Sequence, residues 1–98
     1  MFAQAIRYSH HAQRRMRQRG IQTEAVGCIF QHADRESSVG NGCTRLWLSR
    51  RKRDLLGKQG VSASVLEKTD NVALIVGGDE CVVTAYHGTG SKKRHIRR

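Results

Sequence analysis

The first apolar positions of the chain recur with the period of an α-helix. Ala12 and Met16 form an apolar stripe, and the stripe beside it, at i, i+4 and i+8, consists of His11, Arg15 and Arg19. Ser9 is a residue type that caps helix N-termini, and Gly20 is one that ends helices. The pattern therefore predicts a helix over residues 10–19, with one face for packing and the other for binding.

A second helical pattern follows at once. It lies between Thr23 and His32, and its apolar positions, with the residue that leads into it, are Ile21, Val26, Ile29 and Phe30. Gly20 permits only a tight connection between the two helices. We expect them to share a core as an N-terminal helical hairpin.

Alternating patterns predict strands later in the chain. Residues 37–42 have the Gly, Ser and Asn content of a turn, and the following CTRLWLS alternates as a strand. One face of that strand carries Thr44, Leu46 and Leu48, and the other carries Cys43, Arg45 and Trp47. A lone tryptophan is more often a core residue than a platform for RNA bases, and both interpretations stay open here.

The strongest hairpin signal is Gly77-Gly78-Asp79-Glu80, which is flanked by the apolar segments NVALIV and ECVVTAYH. We expect these segments to be adjacent antiparallel strands. Counting by twos along the second strand, one face consists of Cys81, Val83, Ala85 and His87, and the other of Val82, Thr84 and Tyr86.

Residues 50–68, RRKRDLLGKQGVSASVLEK, are interrupted by glycines and predict two short helical pieces around a basic turn, with Ser62 or Ser64 as a cap. The chain is long enough for one domain, which we place at residues 1–87. Residues 88–98 are predicted to be a basic flexible tail. The fold class expected is α+β, with the helical hairpin packed on a small, mainly antiparallel, twisted sheet of three or four strands.

Charge narrows the range of partners. The chain has 98 residues, with 18 Lys and Arg against 8 Asp and Glu, for a net charge of +10. Such a field attracts nucleic acid in a salt-dependent way. The phosphate-contacting candidates outside the polar stripe are Arg14, Arg50, Arg51, Lys52, Arg53, Lys92, Lys93 and Arg94. The alternative is that these basic residues only keep a small domain soluble.

Other features exclude classes of function. The N-terminus lacks the apolar core of a signal peptide, and no apolar run approaches the about 18 residues of a membrane span, so we expect a cytoplasmic protein without a membrane partner. Cys28, Cys43 and Cys81 lack CxxC spacing and are interpreted as small core residues in a reducing compartment. We expect neither a metal site nor a cofactor.

Four short motifs together resemble a bacterial family of domains of unknown function (number 4258). They are His11-Ala12, Arg15 four residues past the histidine, Arg19-Gly20-Ile21, and a late strand with Val83-Thr84-Ala85-Tyr86. The resemblance covers residues 8–86. That family is similar to the RelE-type toxins, in the fold group that also holds barnase, EndoU and colicin ribonucleases. The basic stretch 50–68 departs from the family pattern.

The resemblance implies a RelE-like fold and metal-independent RNA cleavage, in which the ribose 2′-OH attacks the adjacent phosphate. It also implies RNA, in association with ribosomes, as a partner, and an acidic antitoxin. That chemistry needs proton transfer, for which imidazole suits, and positive charge at the phosphorane, for which the arginine fork suits. The candidate catalytic residues are His11, Arg15, Arg19, Thr84, Tyr86 and His87.

Structural interpretations of the same residues stay open. His10 and His11 also suit helix capping, and Arg15 and Arg19 suit salt bridges to Glu24, Asp34 or Glu36. Thr84 is equally an ordinary strand residue. Two competing functions follow, a non-catalytic RNA- or DNA-binding module and an interaction protein whose tail is the functional part.

Overall fold

Residues 6–88 form an α+β fold in the computed structural model, which describes these residues of the chain. The elements are β1 (Arg7–Tyr8), α1 (His10–Arg19), α2 (Thr23–His32), β2 (Arg35–Gly40), β3 (Cys43–Trp47), α3 (Arg50–Lys58), α4 (Ala63–Thr69), β4 (Val72–Val76) and β5 (Cys81–His87). Both predicted N-terminal helices are confirmed, as is the antiparallel pairing of β4 with β5. Within the predicted tail, the described part of the chain includes only Gly88.

The described strands form one mixed sheet in the order β1-β5-β4-β3-β2. Three pairings are antiparallel, and β1 is parallel to β5. The expected three or four strands become five because neither β1 nor β2 has a readable pattern. The prediction of a turn over residues 37–42 is wrong for residues 37–40, which belong to β2. The turn itself is Asn41-Gly42, where φ is 54° and 74°.

A β-bulge at Val83 changes the face assignment of β5. Thr84 pairs with Ile75 and Val82 pairs with Val76, so Val83 is an extra residue between them. Val82 therefore shares a face with Ala85, and both are fully buried. The prediction that Val82 lies on the face of Thr84 and Tyr86 is wrong, because counting by twos cannot detect an inserted residue.

The helices pack on one face of the sheet, which we call the first face. Its core includes Val72, Leu74, Val76, Val82 and Ala85, together with the helix residues Ala12, Met16, Val26, Cys28, Ile29 and Leu56. α1 packs on β5, whereas α2 packs on β3, β4 and α4. The packed helical hairpin is not confirmed, because α1 packs mainly on β5 and α2 packs mainly on β3, β4 and α4.

The two short helices predicted within residues 50–68 are confirmed as α3 and α4. Arg50 to Arg53 form the first turn of α3. Ser49 caps the helix, because its Oγ accepts a hydrogen bond of 3.0 Å from the Lys52 backbone N–H. Ser62 caps α4 as predicted.

The cysteines differ from one another in burial. Cys28 is buried as predicted, and burial raises the pKa of its thiol. Cys43 and Cys81 are only half-buried, so the prediction of core positions is wrong for them. Among residues 6–88, no helix has the length and apolar character needed to cross a bilayer.

Candidate functional site

The start of α1 is fixed to β5 by one serine. The backbone N–H of Ser9 donates to the carbonyl of Val82 at 2.9 Å, and its Oγ donates to the carbonyl of Val83 at 3.0 Å. The same Oγ accepts from the Ala12 N–H at 2.9 Å as the N-cap. Because Val83 is the bulge residue, the bulge and the helix start are held together.

The end of α1 is fixed to β5 by two side chains of the predicted site. Arg19 Nη1 donates to the Ala85 carbonyl at 3.1 Å, and His87 Nε2 bonds to the Arg19 carbonyl at 3.1 Å. Gly20 ends the helix at φ 67°, a left-handed conformation that glycine adopts without strain. α1 therefore lies along β5, beyond the two residues that pair with β1.

An open groove of about 480 Å³ lies on the surface where α1 meets β5. Its lining consists of His11, Arg15, Arg19, Thr84, Tyr86 and His87. These are the six residues that the sequence nominated as catalytic candidates. Folding brings together the α1 stripe and the end of β5, although about 65 residues lie between them along the chain.

The groove is rich in hydrogen-bond donors and contains no carboxylate. Arg15 is half-buried, and within residues 6–88 neither Arg15 nor Arg19 forms a salt bridge. Glu24 pairs instead with Lys68 at 3.6 Å, and Asp34 bonds to Ser49. The alternative of salt bridges from the two arginines to these acids is wrong. An arginine in such a position suits an external anion.

The contact of His87 determines which of its nitrogens is free. A carbonyl oxygen can only accept, so Nε2 carries the hydrogen in the bond to the Arg19 carbonyl. In the neutral ring the lone pair is then on Nδ1. His11 is exposed, and its ring forms no hydrogen bond within the described chain. The capping alternative for His11 is not realised, since Ser9 is the N-cap.

The predicted phosphate-contacting residues divide into two groups. Arg14 is exposed on α1 and does not line the groove. The basic residues of α3 come directly after β3, and in the sheet β4 lies between β3 and β5. None of these basic residues lines the groove. Arg53 pairs with Asp70 at 3.2 Å, and burial together with the charge of Lys52 lowers the pKa of His32. Lys92, Lys93 and Arg94 lie outside the described residues.

Sequence reasoning missed two features. The hold of Ser9 on β5 depends on the bulge and carries no local signal. Arg45 was not among the predicted site residues, although the strand alternation placed it on the same face as Trp47. Its guanidinium carbon lies 4.6 Å from the centre of the Trp47 ring. Trp47 is half-buried and outside the core cluster, so the core interpretation is wrong.

Residues 6–88 contain no group of three or more His, Cys, Asp or Glu side chains placed to hold a metal ion. No protein-family model, curated protein or solved structure matches the chain. The family resemblance therefore remains a prediction.

Proposed function

We propose that this protein is a RelE-type endoribonuclease that cleaves RNA without a metal ion, in the groove between α1 and β5. The observation that carries the proposal is the convergence of two imidazoles, two guanidiniums and two hydroxyls on one open groove without a carboxylate. A phosphodiester is an anion, and its cleavage through the 2′-OH needs a proton acceptor, a proton donor and stabilisation of the phosphorane.

The geometry of His87 suits the proton acceptor. Its Nε2–H is held by the Arg19 carbonyl, so Nδ1 is oriented and free to take the proton of the 2′-OH. The 2′ oxygen then attacks phosphorus, and the bond to the 5′ oxygen breaks. In the proposal His11, in its imidazolium form, gives a proton to the leaving 5′ oxygen. The products are a 2′,3′-cyclic phosphate and a 5′-hydroxyl.

The arginines and hydroxyls stabilise the phosphorane in this scheme. Arg15 has no partner within residues 6–88, so its planar fork can donate two hydrogen bonds to the equatorial oxygens. Arg19 already donates through Nη1 to β5, so it positions α1 and contributes charge. Thr84 and Tyr86 supply hydroxyl donors from the strand.

As partners of this activity we propose RNA, in association with ribosomes, and an acidic protein that covers the basic groove as an antitoxin. Cytoplasmic location belongs to the same proposal. A second candidate, a non-catalytic RNA-binding module, is favoured by one observation: Arg19 and His87 both bond to backbone, as purely structural residues do.

The deciding experiment incubates purified protein with total RNA and with ribosomes in EDTA. We expect cleavage to persist, to leave 2′,3′-cyclic phosphate ends, and to spare RNA that has hydrogen in place of the target 2′-OH. His11→Ala should lower the rate by about 10²–10⁴-fold while RNA affinity is kept.

His10→Ala is the matched control. His10 is the exposed neighbour of His11 on α1 and does not line the groove. We expect its rate to equal that of the natural protein. Full activity in His11→Ala would refute the proton-transfer role, and RNA binding without any cleavage would leave the non-catalytic module.

A further inference from the structure

The face of the sheet opposite the helices has a distinct chemistry. We call it the second face, and it consists of Arg35, Ser37, Arg45, Trp47, Ala73, Ile75, Thr84 and Tyr86. The strand registers place these residues in two rows. Ser37, Arg45, Ile75 and Thr84 are successive partners in one row. Neither row contains a carboxylate, and the helix residues of the core cluster pack on the first face.

The other row carries two aromatic side chains. Arg35 pairs with Trp47, and Ala73 pairs with Tyr86. Continuing the β3–β4 register by one residue sets Trp47 beside Ala73. Trp47 and Tyr86 therefore stand on strands about 9–10 Å apart, with only the small Ala73 between them.

Arg45 and Trp47 form a stacked pair on this face. The guanidinium carbon lies 4.6 Å from the ring centre, a cation–π geometry. Within residues 6–88, Arg45 forms no salt bridge, and its buried Nε has no hydrogen-bond partner. The pair combines a flat surface with a positive charge that no neighbouring acid neutralises.

The second face is continuous with the groove. Thr84 and Tyr86 belong to both surfaces, since they line the groove and stand in the two rows. A chain bound in the groove can thus extend over Tyr86 toward Trp47.

We propose that the second face binds single-stranded RNA by stacking a base on the Arg45–Trp47 pair, next to the phosphate held in the groove. The choice of RNA rests on the proposed function. Unpaired bases stack on aromatic rings and on guanidinium planes, whereas a duplex keeps its bases stacked on one another. Arg35 and Arg45, together with the lack of carboxylates on the second face, match the phosphates that accompany the base. The substrate class is therefore single-stranded RNA.

The chain has one tryptophan, so its fluorescence reports this site alone. The probes are a 2′-O-methyl oligonucleotide, which the proposed reaction cannot cleave, the same oligonucleotide in duplex form, an abasic strand of equal charge, and polyglutamate. We expect the single strand to quench Trp47 and the other three probes to leave its emission nearly unchanged. The abasic strand should bind about 5- to 150-fold more weakly.

Variants test the same site independently. Trp47→Leu should weaken binding of the single strand about 5- to 150-fold, and Trp47→Phe, which keeps an aromatic ring, should retain most of the affinity. Thermal unfolding of both variants checks that they fold. If Trp47→Leu does not fold, quenching of the natural protein still decides the question.

Single-strand binding with unchanged Trp47 emission would overturn the inference, and so would equal quenching by the duplex or the abasic strand. Equal quenching by polyglutamate would identify a surface for an acidic protein instead. The proposed cleavage fails separately: quenching by the single strand without cleavage of any RNA would keep the stacking surface and remove the nuclease.

Discussion

A residue of the groove can hold the fold together, take part in chemistry, or do both, and the hydrogen bonds of the arginines and of His87 distinguish these roles. Arg19 and His87 use one nitrogen each to hold α1 to β5. Arg15, at the middle of the same stripe, is half-buried and makes no such bond within residues 6–88. Arg15 is therefore the side chain that a phosphate would engage most completely.

Arg15→Lys should lower the cleavage rate nearly as much as Arg15→Ala, by about 10²-fold or more, because an ammonium cannot reproduce two parallel hydrogen bonds. Single-turnover rates at saturating protein measure this loss. Arg17→Lys, an exposed change on the same helix outside the groove, is the control and should leave the rate unchanged. A lysine variant with nearly full activity would show that Arg15 acts only as a charge.

Among the elements, α3 depends on a hydrogen-bonded pair at its start. The carboxylate of Asp34 accepts from the Ser49 N–H at 2.9 Å and from Ser49 Oγ at 2.7 Å, and Ser49 in turn caps the helix. Burial raises the pKa of Asp34, but the two hydrogen bonds from Ser49, a backbone hydrogen bond of Asp34 itself and the charge of Arg35 together outweigh it, and the pKa lies below the ordinary value of 3.8. The bonds favour the charged carboxylate.

A lowered pKa in the folded state means that the unfolded chain binds the proton more readily. The contribution of Asp34 to stability should be complete well above pH 3.8 and should be lost as the pH falls through the lowered pKa. Asp34→Ala should lower the free energy of unfolding by at most about 1 kcal/mol at neutral pH, because water competes with Ser49 for the exposed carboxylate. Urea unfolding from pH 3 to 7 measures the difference.

Asp54→Ala is the control for that measurement, since Asp54 lies exposed on α3 without a bond to Ser49. A gap between Asp34→Ala and the natural protein that widens as the pH falls would contradict the assignment.

The β4–β5 hairpin contains a strained position. Glu80 has a φ of 64° at the end of the turn, where the Gly77 N–H bonds to the Cys81 carbonyl and the Glu80 N–H to the Gly77 carbonyl. Glycine is the usual residue at this position of a three-residue hairpin loop. Glu80→Gly should raise the free energy of unfolding by up to about 1 kcal/mol, after the entropy that glycine adds to the unfolded chain.

Thermal or urea unfolding tests this prediction. Glu80→Ala is its control and should bring little gain, because alanine is strained at the same φ. A glycine variant less stable than the natural protein would show that the glutamate side chain stabilises the turn.

At the scale of the whole molecule, charge is distributed unevenly over the fold. The groove and the second face share Thr84 and Tyr86, and neither contains a carboxylate. The basic residues of α3 lie away from the groove, and Asp70 neutralises one of them, Arg53. RNA affinity should therefore depend more on the α1 side of the molecule than on the run at 50–53.

Binding of single-stranded RNA should weaken with salt, with a log–log slope of about −0.7 for each phosphate contacted. Removal of residues 92–98 should reduce the magnitude of the slope without abolishing binding, since each Lys or Arg side chain that contacts a phosphate releases its own counter-ions. Arg15→Gln should reduce it by about 0.7, and Arg51→Gln, on α3, should change it less. Fluorescence anisotropy over a salt series measures the slopes, and a salt-independent affinity would contradict a phosphate-binding role.

The sequence by itself determined the elements whose signals are local. The stripe at i, i+4 and i+8, with Ser9 before it and Gly20 after it, specified α1, and the loop at 77–80 specified the β4–β5 hairpin. Periodicity also grouped His11, Arg15 and Arg19, because side chains one turn apart share a helix face.

Only the tertiary structure decided what these local signals cannot encode. The pairing of β1 with β5, the strand at 35–40 and the bulge at Val83 all depend on partners distant in the chain. One inserted residue moves Val82 to the core face, and the resulting carbonyl position holds the start of α1. The openness of Trp47 depends on which face the helices cover, a choice made by the burial of Val72, Leu74 and Val76 and not by any pattern around Trp47 itself.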